Sequence, residues 1–221
     1  MDVEATRAIR QAEVGATRTM IERTRDRFGL YPEVLTADKA YGSAENLHWL
    51  VADQGILPHI PVVDKSRRRD GTFERSDFAY DNKADHYICP ASKMLRPPQR
   101  AYRNRKSRED ADGMVRYRAS KTDCDPCPLK AHCCPNAPVR KVQRHVYEGA
   151  RDLARELYNT DAYIDAQRRR KKVEMLFAHL KRILKLDRLR LRGPNGAKDE
   201  FHLAATAQNL RKLAKMVPNP A

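Results

Sequence analysis

Apolar residues recur at three- and four-residue intervals in several stretches of the 221-residue chain, the spacing that lines one face of an α-helix. Gln11 to Phe28 keeps Val14, Thr17, Ile21, Thr24 and Phe28 on one side, with Arg and Glu between them. Gly29 and Pro32 are stop signals behind it. A short run from Glu33 to Ala37 then reads as a strand and ends in Asp38, and Ser43 is placed to cap a helix through Leu47, Leu50 and Val51. Gly55 closes that helix, and Leu57–Val63 reads as a buried strand. The longest pattern is Arg168–Arg192. There Val173, Leu176, Phe177, Leu180, Ile183 and Leu184 predict one helix with an apolar stripe and a cationic remainder. A shorter helix is predicted over 149–158, with a break near Asn159–Thr160. Gly193-Pro194-Asn195-Gly196 reads as a breaker. A last helix is predicted from about Asp199 to Met216, ending at Pro218, with Leu203, Ala207, Leu210, Ala214 and Val217 facing inward.

Between these halves the texture changes. From Asp64 to Tyr147 the pattern breaks into short β-like pieces around Phe73, Phe78–Tyr80 and Tyr87–Cys89, separated by turn residues and charged runs. The organisation this implies is 1–63, a basic cysteine-bearing insertion over 64–147, and a helical part over 148–217. The basic runs Arg67–Arg69 and Arg100–Arg108 are either DNA contacts or solvated loop.

Charge narrows the partner. A net charge of +15 favours a polyanion, nucleic acid before membrane. No apolar run is long enough to span a bilayer and no signal-peptide core is visible, so the expectation is a cytoplasmic protein with no membrane partner. Of five cysteines, Cys124, Cys127, Cys133 and Cys134 lie together. In a reducing compartment such a cluster points to metal before disulfides. Cys89, Cys124, Cys127 and Cys133 would close a tetrahedral zinc shell, with Cys134 or His132 as substitutes for Cys133. The alternative is a set of reduced, partly buried thiols.

Two carboxylates stand out. Asp38 ends a predicted strand just before a helix, where open α/β sheets place functional side chains; it could equally cap a turn. Glu174 lies in a cationic field, and residues three, four or seven apart share a helix face, so Arg170, Glu174 and Lys181 align. Either Glu174 pairs with Arg170 on a solvated face, or it is a metal-binding carboxylate flanked by phosphate-gripping cations. The scattered histidines His48, His59, His86, His145, His179 and His202 lack metal spacing and read as surface or packing residues. Trp49 and Phe177 read as core.

Together, the stretch Leu35–Leu47, the cysteine-bearing insertion and Arg169–Gly193 resemble the DDE transposases of bacterial insertion sequences, in the assemblage around insertion sequences four and five. The family's Tyr-x2-Arg-x3-Glu-x6-Lys signature places its Arg, Glu and Lys on Arg170, Glu174 and Lys181, while the Tyr position is Gln167. The resemblance implies an α/β chain with a ribonuclease-H-like mixed sheet flanked by helices. It makes Asp38 and Glu174 the second and third catalytic acids, holding magnesium or manganese for DNA cleavage and strand transfer. Paired ions about 3.5–4 Å apart can stabilise attacking and leaving oxygens together. Arg170, Lys181, Lys171, Lys172 and Arg182 would hold the DNA backbone. The resemblance also leaves room for a homo-oligomer and for a place at the bacterial nucleoid.

The family's first acid lies well upstream of the segment matching Leu35–Leu47. Asp2 comes too late in the strand order to be that acid, so the expectation is an incomplete fold whose first strands are missing and which is inactive alone. The competing expectation is a non-catalytic, basic nucleic-acid-binding module stabilised by zinc.

Overall fold

The computed structural model describes the chain except residues 1–3, 5, 7–11, 65–67, 99–107 and 218–221. Asp2, Arg67, Pro218 and most of the Arg100–Arg108 run therefore lie outside the described residues. In chain order the first elements are α1 (Ala12–Phe28), β1 (Val34–Thr36), α2 (Ala44–His48), β2 (Leu57–His59), β3 (Ala79–Asp81), β4 (His86–Ile88) and β5 (Met94–Leu95). They are followed by β6 (Met114–Arg118), α3 (Lys121–Cys124), α4 (Lys130–Cys133), β7 (Lys141–His145), α5 (Glu148–Leu157), α6 (Asp161–Arg182) and α7 (Gly193–Ala214). The result is a mixed α/β chain with small sheets.

The described residues divide into two compact units, one of 1–42, 49–61 and 154–221, the other of 43–48 and 62–153. In the first, Gly29 adopts φ 61° and turns its N–H onto the Arg25 carbonyl at 2.9 Å, which ends α1. β1 and β2 pair in parallel, Val34 opposite Leu57 and Thr36 opposite His59. β2 stops at His59, short of the strand expected to Val63. Pro58 and Pro61 offer no amide hydrogen, so a longer ladder would lack two donors. α6 packs on both strands, and Ile21, Leu50, Ile56, Ile60, Tyr163, Leu180 and Ala205 form the buried apolar set. Trp49 is buried as expected, with the Arg18 guanidinium 4.7 Å above its ring.

The long basic helix is shorter than its pattern. α6 is capped by the Thr160 hydroxyl, which accepts from the Tyr163 N–H at 3.2 Å, and it ends at Arg182. Lys185 turns left-handed at φ 55° and the Leu186 N–H folds back to the Leu180 carbonyl at 3.1 Å. No glycine marks this stop, so the apolar period ran on past it. The supposed breaker is a helix start: Gly193–Ala214 is helical and Pro194 occupies the first turn, where a missing N–H costs nothing.

The apolar stripes are also exposed. On α6 only Leu180 of the predicted stripe is buried; Val173, Leu176, Phe177 and Ile183 face solvent, so Phe177 is not core. On α7 the five residues expected inside are all exposed, and Ala205 and Gln208 are buried instead. Gln208 explains that choice. Its amide donates to the Leu176 carbonyl of α6 at 3.0 Å, so a polar contact sets the packed face of α7.

The second unit has its own core. β3, β4 and β5 form an antiparallel sheet, β6 and β7 an antiparallel pair, and a bridge between Arg96 and Arg118 joins them. Phe78, Tyr87, Leu95, Val115, Tyr117, Val139 and Val142 pack together, with Cys124 among them. Tyr80, Tyr87 and Tyr117 meet at 4.9–5.9 Å between ring centroids, the tilted and edge-on geometry aromatic rings prefer. The piece around Phe73 is not a strand; Phe73 packs against this core without pairing. Burial would raise the Asp85 carboxyl, but hydrogen bonds from Tyr117, Arg108 and Tyr80 outweigh it and hold it below its ordinary value. Glu148 is fully buried and bridges Arg75 and Arg151.

Candidate active site and nucleic-acid interface

β1 delivers Asp38 two residues beyond its carboxyl end. The carboxylate is exposed, and its Oδ1 accepts the Ala40 N–H at 2.9 Å, capping the single 3-10 turn Lys39–Tyr41. Such a cap occupies one oxygen and leaves an exposed carboxylate in place.

Glu174 sits midway along α6, with its Oε1 3.1 Å from Arg170 Nη2. This is an i, i+4 helix pair, which at exposed sites contributes about 0.3–0.5 kcal/mol. It therefore orients Glu174 more than it stabilises the fold. Gln167, Arg170 and Glu174 lie on one side of the helix and line an open depression of about 500 Å³ with Tyr163 and Lys171. Asp38 is not among the residues lining it. Lys171, Lys172, Lys181 and Arg182 are all exposed along the same helix.

The position where the signature carries Tyr has a structural task here. The Gln167 amide donates to the His59 carbonyl at the end of β2, at 3.0 Å. It ties α6 to the strand across 108 residues of sequence. Spacing alone did not reveal this residue, because its partner is a backbone group on another element.

In the second unit, Cys89, Cys124, Cys127, Cys133 and Cys134 line one small cavity of about 20 Å³. That is room for about one water-sized occupant. All five thiols are free. The Lys93 N–H donates to Cys89 Sγ at 3.3 Å. Burial pushes the Cys133 thiol up to about 11, reinforced by Cys134. Cys134 is buried and Cys133 half-buried. Among the described residues no group of three or more His, Cys, Asp or Glu stands ready to hold a metal ion. The closed four-ligand shell expected from the spacing is thus not assembled, although the soft donors share one cavity. Asp38 and Glu174 are hard oxygen donors of the kind that suits magnesium, and among the described residues neither belongs to a cluster of three or more such ligands.

The histidines hold local contacts. His48 stacks on Tyr147 at 4.0 Å, His145 Nε2 lies 3.1 Å from Glu45, and burial lowers His59 below its ordinary value.

A family model described as "Transposase DDE domain" matches residues 88–214. The match covers more than half of the chain. This chain belongs to the transposase DDE domain family. No curated protein and no solved structure matches it. The matched stretch of the transposase domain takes in the cysteines, Arg170, Glu174 and Lys181, and leaves Asp38 outside. Membership makes the domain one of the nucleic-acid-cleaving, transposition class, with DNA as substrate and a divalent metal, magnesium or manganese, as its usual requirement. No described helix of this transposase domain is long and apolar enough to cross a membrane.

Proposed function

We propose that the chain acts in the catalytic domain of a DNA transposase of bacterial insertion sequences, built on a ribonuclease-H-like fold. In this reading Asp38 and Glu174 hold the divalent ion. Arg170 and Lys181 grip the DNA backbone, Arg through a planar fork and Lys as a point charge, with Lys171, Lys172 and Arg182 extending the grip. The observation that carries the reading is the family match running through the helix on which Arg170 and Glu174 stand 3.1 Å apart. The ion would stabilise charge on the attacking and leaving oxygens; this chain's own residues orient the strand and hold the ion's oxygen ligands. A DNA partner implies the compartment that holds DNA, the bacterial cytoplasm and nucleoid.

The test measures Mn2+ binding by electron paramagnetic resonance and nicking of supercoiled plasmid with Mg2+ or Mn2+. Glu174→Gln and Asp38→Asn are each expected to weaken Mn2+ binding at least tenfold and to abolish any nicking. Undiminished ion binding in both variants would falsify the assignment.

One observation favours a second role for the cysteines. Because they share a cavity and the Cys89 sulfur accepts the Lys93 N–H, they are suited to a zinc ion that would hold the second unit together. Purified protein is expected to carry about one zinc per chain. Zinc-free protein with an unchanged melting curve would leave five plain thiols. Should DNA binding survive Glu174→Gln while no version of the protein cuts, the basic zinc-held module is the better reading.

A further inference from the structure

The outer face of the second unit's sheet carries a row of like charges. Along β6, Val115 and Tyr117 are buried while Arg116 and Arg118 point outward, and β7 buries Val142 while exposing Lys141 and Gln143. This alternation is the two-residue period of a half-buried strand. Arg118 pairs directly with Lys141 across the strands. On its other side Arg118 pairs with Arg96, through Arg96 N–H to Arg118 O at 3.0 Å and the reverse bond at 2.8 Å. Three cations therefore stand side by side across neighbouring strands, which lie about 4.8 Å apart. The hydrogen-bonded rung next to Arg118 and Lys141 is Ala119 with Arg140. Arg118 and Lys141 thus form the non-hydrogen-bonded kind of pair, in which side chains come closest.

Like charges directly opposite one another on a sheet destabilise it. Among the described residues Arg96, Arg118 and Lys141 have no carboxylate within ion-pair distance, and Arg116 reaches Asp110 only at 3.6 Å. An open depression of about 920 Å³ lies over the row, lined by Lys93, Arg96, Arg116, Arg118 and Lys141, with Asp123 as the single carboxylate among the described residues of its lining. An open trough with cations spaced across strands suits an extended polyanion better than an enclosed small molecule.

We propose that this face, Arg96–Arg118–Lys141 with Arg116 and Lys93, is a second DNA-binding surface that takes the phosphodiester backbone without reading its sequence. The proposal rests on the reading that the chain acts on DNA, and it assigns backbone contact to the sheet as well as to α6. Each neutralised phosphate releases counterions, so the surface contributes affinity that falls steeply with salt.

The experiment uses the full chain and a 30-base-pair duplex of arbitrary sequence, followed by fluorescence anisotropy in EDTA across a salt series. The triple variant R96Q/R118Q/K141Q is compared with wild type and with K39Q/K83Q/K215Q, which removes the same charge elsewhere. The row variant is expected to bind at least tenfold more weakly than the control at about 0.1 M salt. Its salt slope should fall by about 0.9 for each phosphate that the variant no longer neutralises. Removing mutual repulsion should leave the melting temperature unchanged or raised. Equal losses in the row and control variants would overturn the surface while leaving the transposase reading standing. A row variant that melts lower than wild type would show a structural role and overturn it too. Displacement of the duplex by inorganic phosphate beyond chloride at matched ionic strength would point to a small-anion site instead. No duplex binding by wild type would sink both readings.

Discussion

The two units solve the burial problem differently. The cysteine-bearing unit closes an aromatic and aliphatic core and buries Glu148 between two guanidinium groups. The unit holding α6 and α7 leaves Phe177 at 54%, Leu203 at 68% and Leu210 at 63% exposure, on helices whose sequences carry apolar residues at helical spacing. Helical periodicity therefore reports that a face exists, not that something covers it. On β6 and β7 of the second unit, alternation and burial agree; on the long helices they part company.

That contrast can be broken at its strongest point first. Glu148→Gln leaves Arg75 and Arg151 without their buried counter-charge, and removing one partner of a buried pair costs about 3–5 kcal/mol. Chemical denaturation of the chain should show this loss, and a change below about 1 kcal/mol would mean that water reaches the cluster. Gln167→Ala removes the link from α6 to the His59 carbonyl and is expected to cost about 0.5–1.5 kcal/mol, the net worth of one hydrogen bond. No change in the denaturation midpoint would show that α6 is held to β2 by packing alone.

A third test is acid. The Asp85 carboxylate has its folded value depressed by its tyrosine and arginine partners, so its stabilising effect is present above its ordinary value of 3.8 and lost as pH falls through the folded one. Melting curves of wild type and Asp85→Asn should therefore differ at pH 6 and converge toward pH 3. A gap that stays constant over that range would refute the linkage. The smallest effect is expected on α6. Phe177→Ser should alter stability by no more than about 0.5 kcal/mol, as surface substitutions do, while reducing self-association in light scattering. A loss of about 3 kcal/mol or more, the size of emptying a core phenylalanine site, would mean that the side chain is covered in solution.

The charge and spacing of Arg170, Glu174 and Lys181 were legible in the chain because they are properties of one helix, and the family match passes through the same residues. The five thiols were legible as a group for a similar reason: four are within eleven residues of one another. The end of α6 at Arg182 was not legible, since Lys185 in a left-handed turn has no glycine to announce it. Nor was the start of α7, where Pro194 and two glycines signal a break in sequence but initiate a helix in the fold.

Local pattern was sufficient where the deciding interaction lies within a few residues, as at the α1 stop at Gly29 and the cap at Ser43, whereas β6 and β7 form in stretches that do not read as strands. Tertiary structure alone decided which helix faces are buried, because Gln208 reaches the Leu176 carbonyl and Gln167 the His59 carbonyl from distant parts of the chain. It also decided that Arg96, Arg118 and Lys141 stand in one row. Strand pairing, which no single segment encodes, sets those charges against each other.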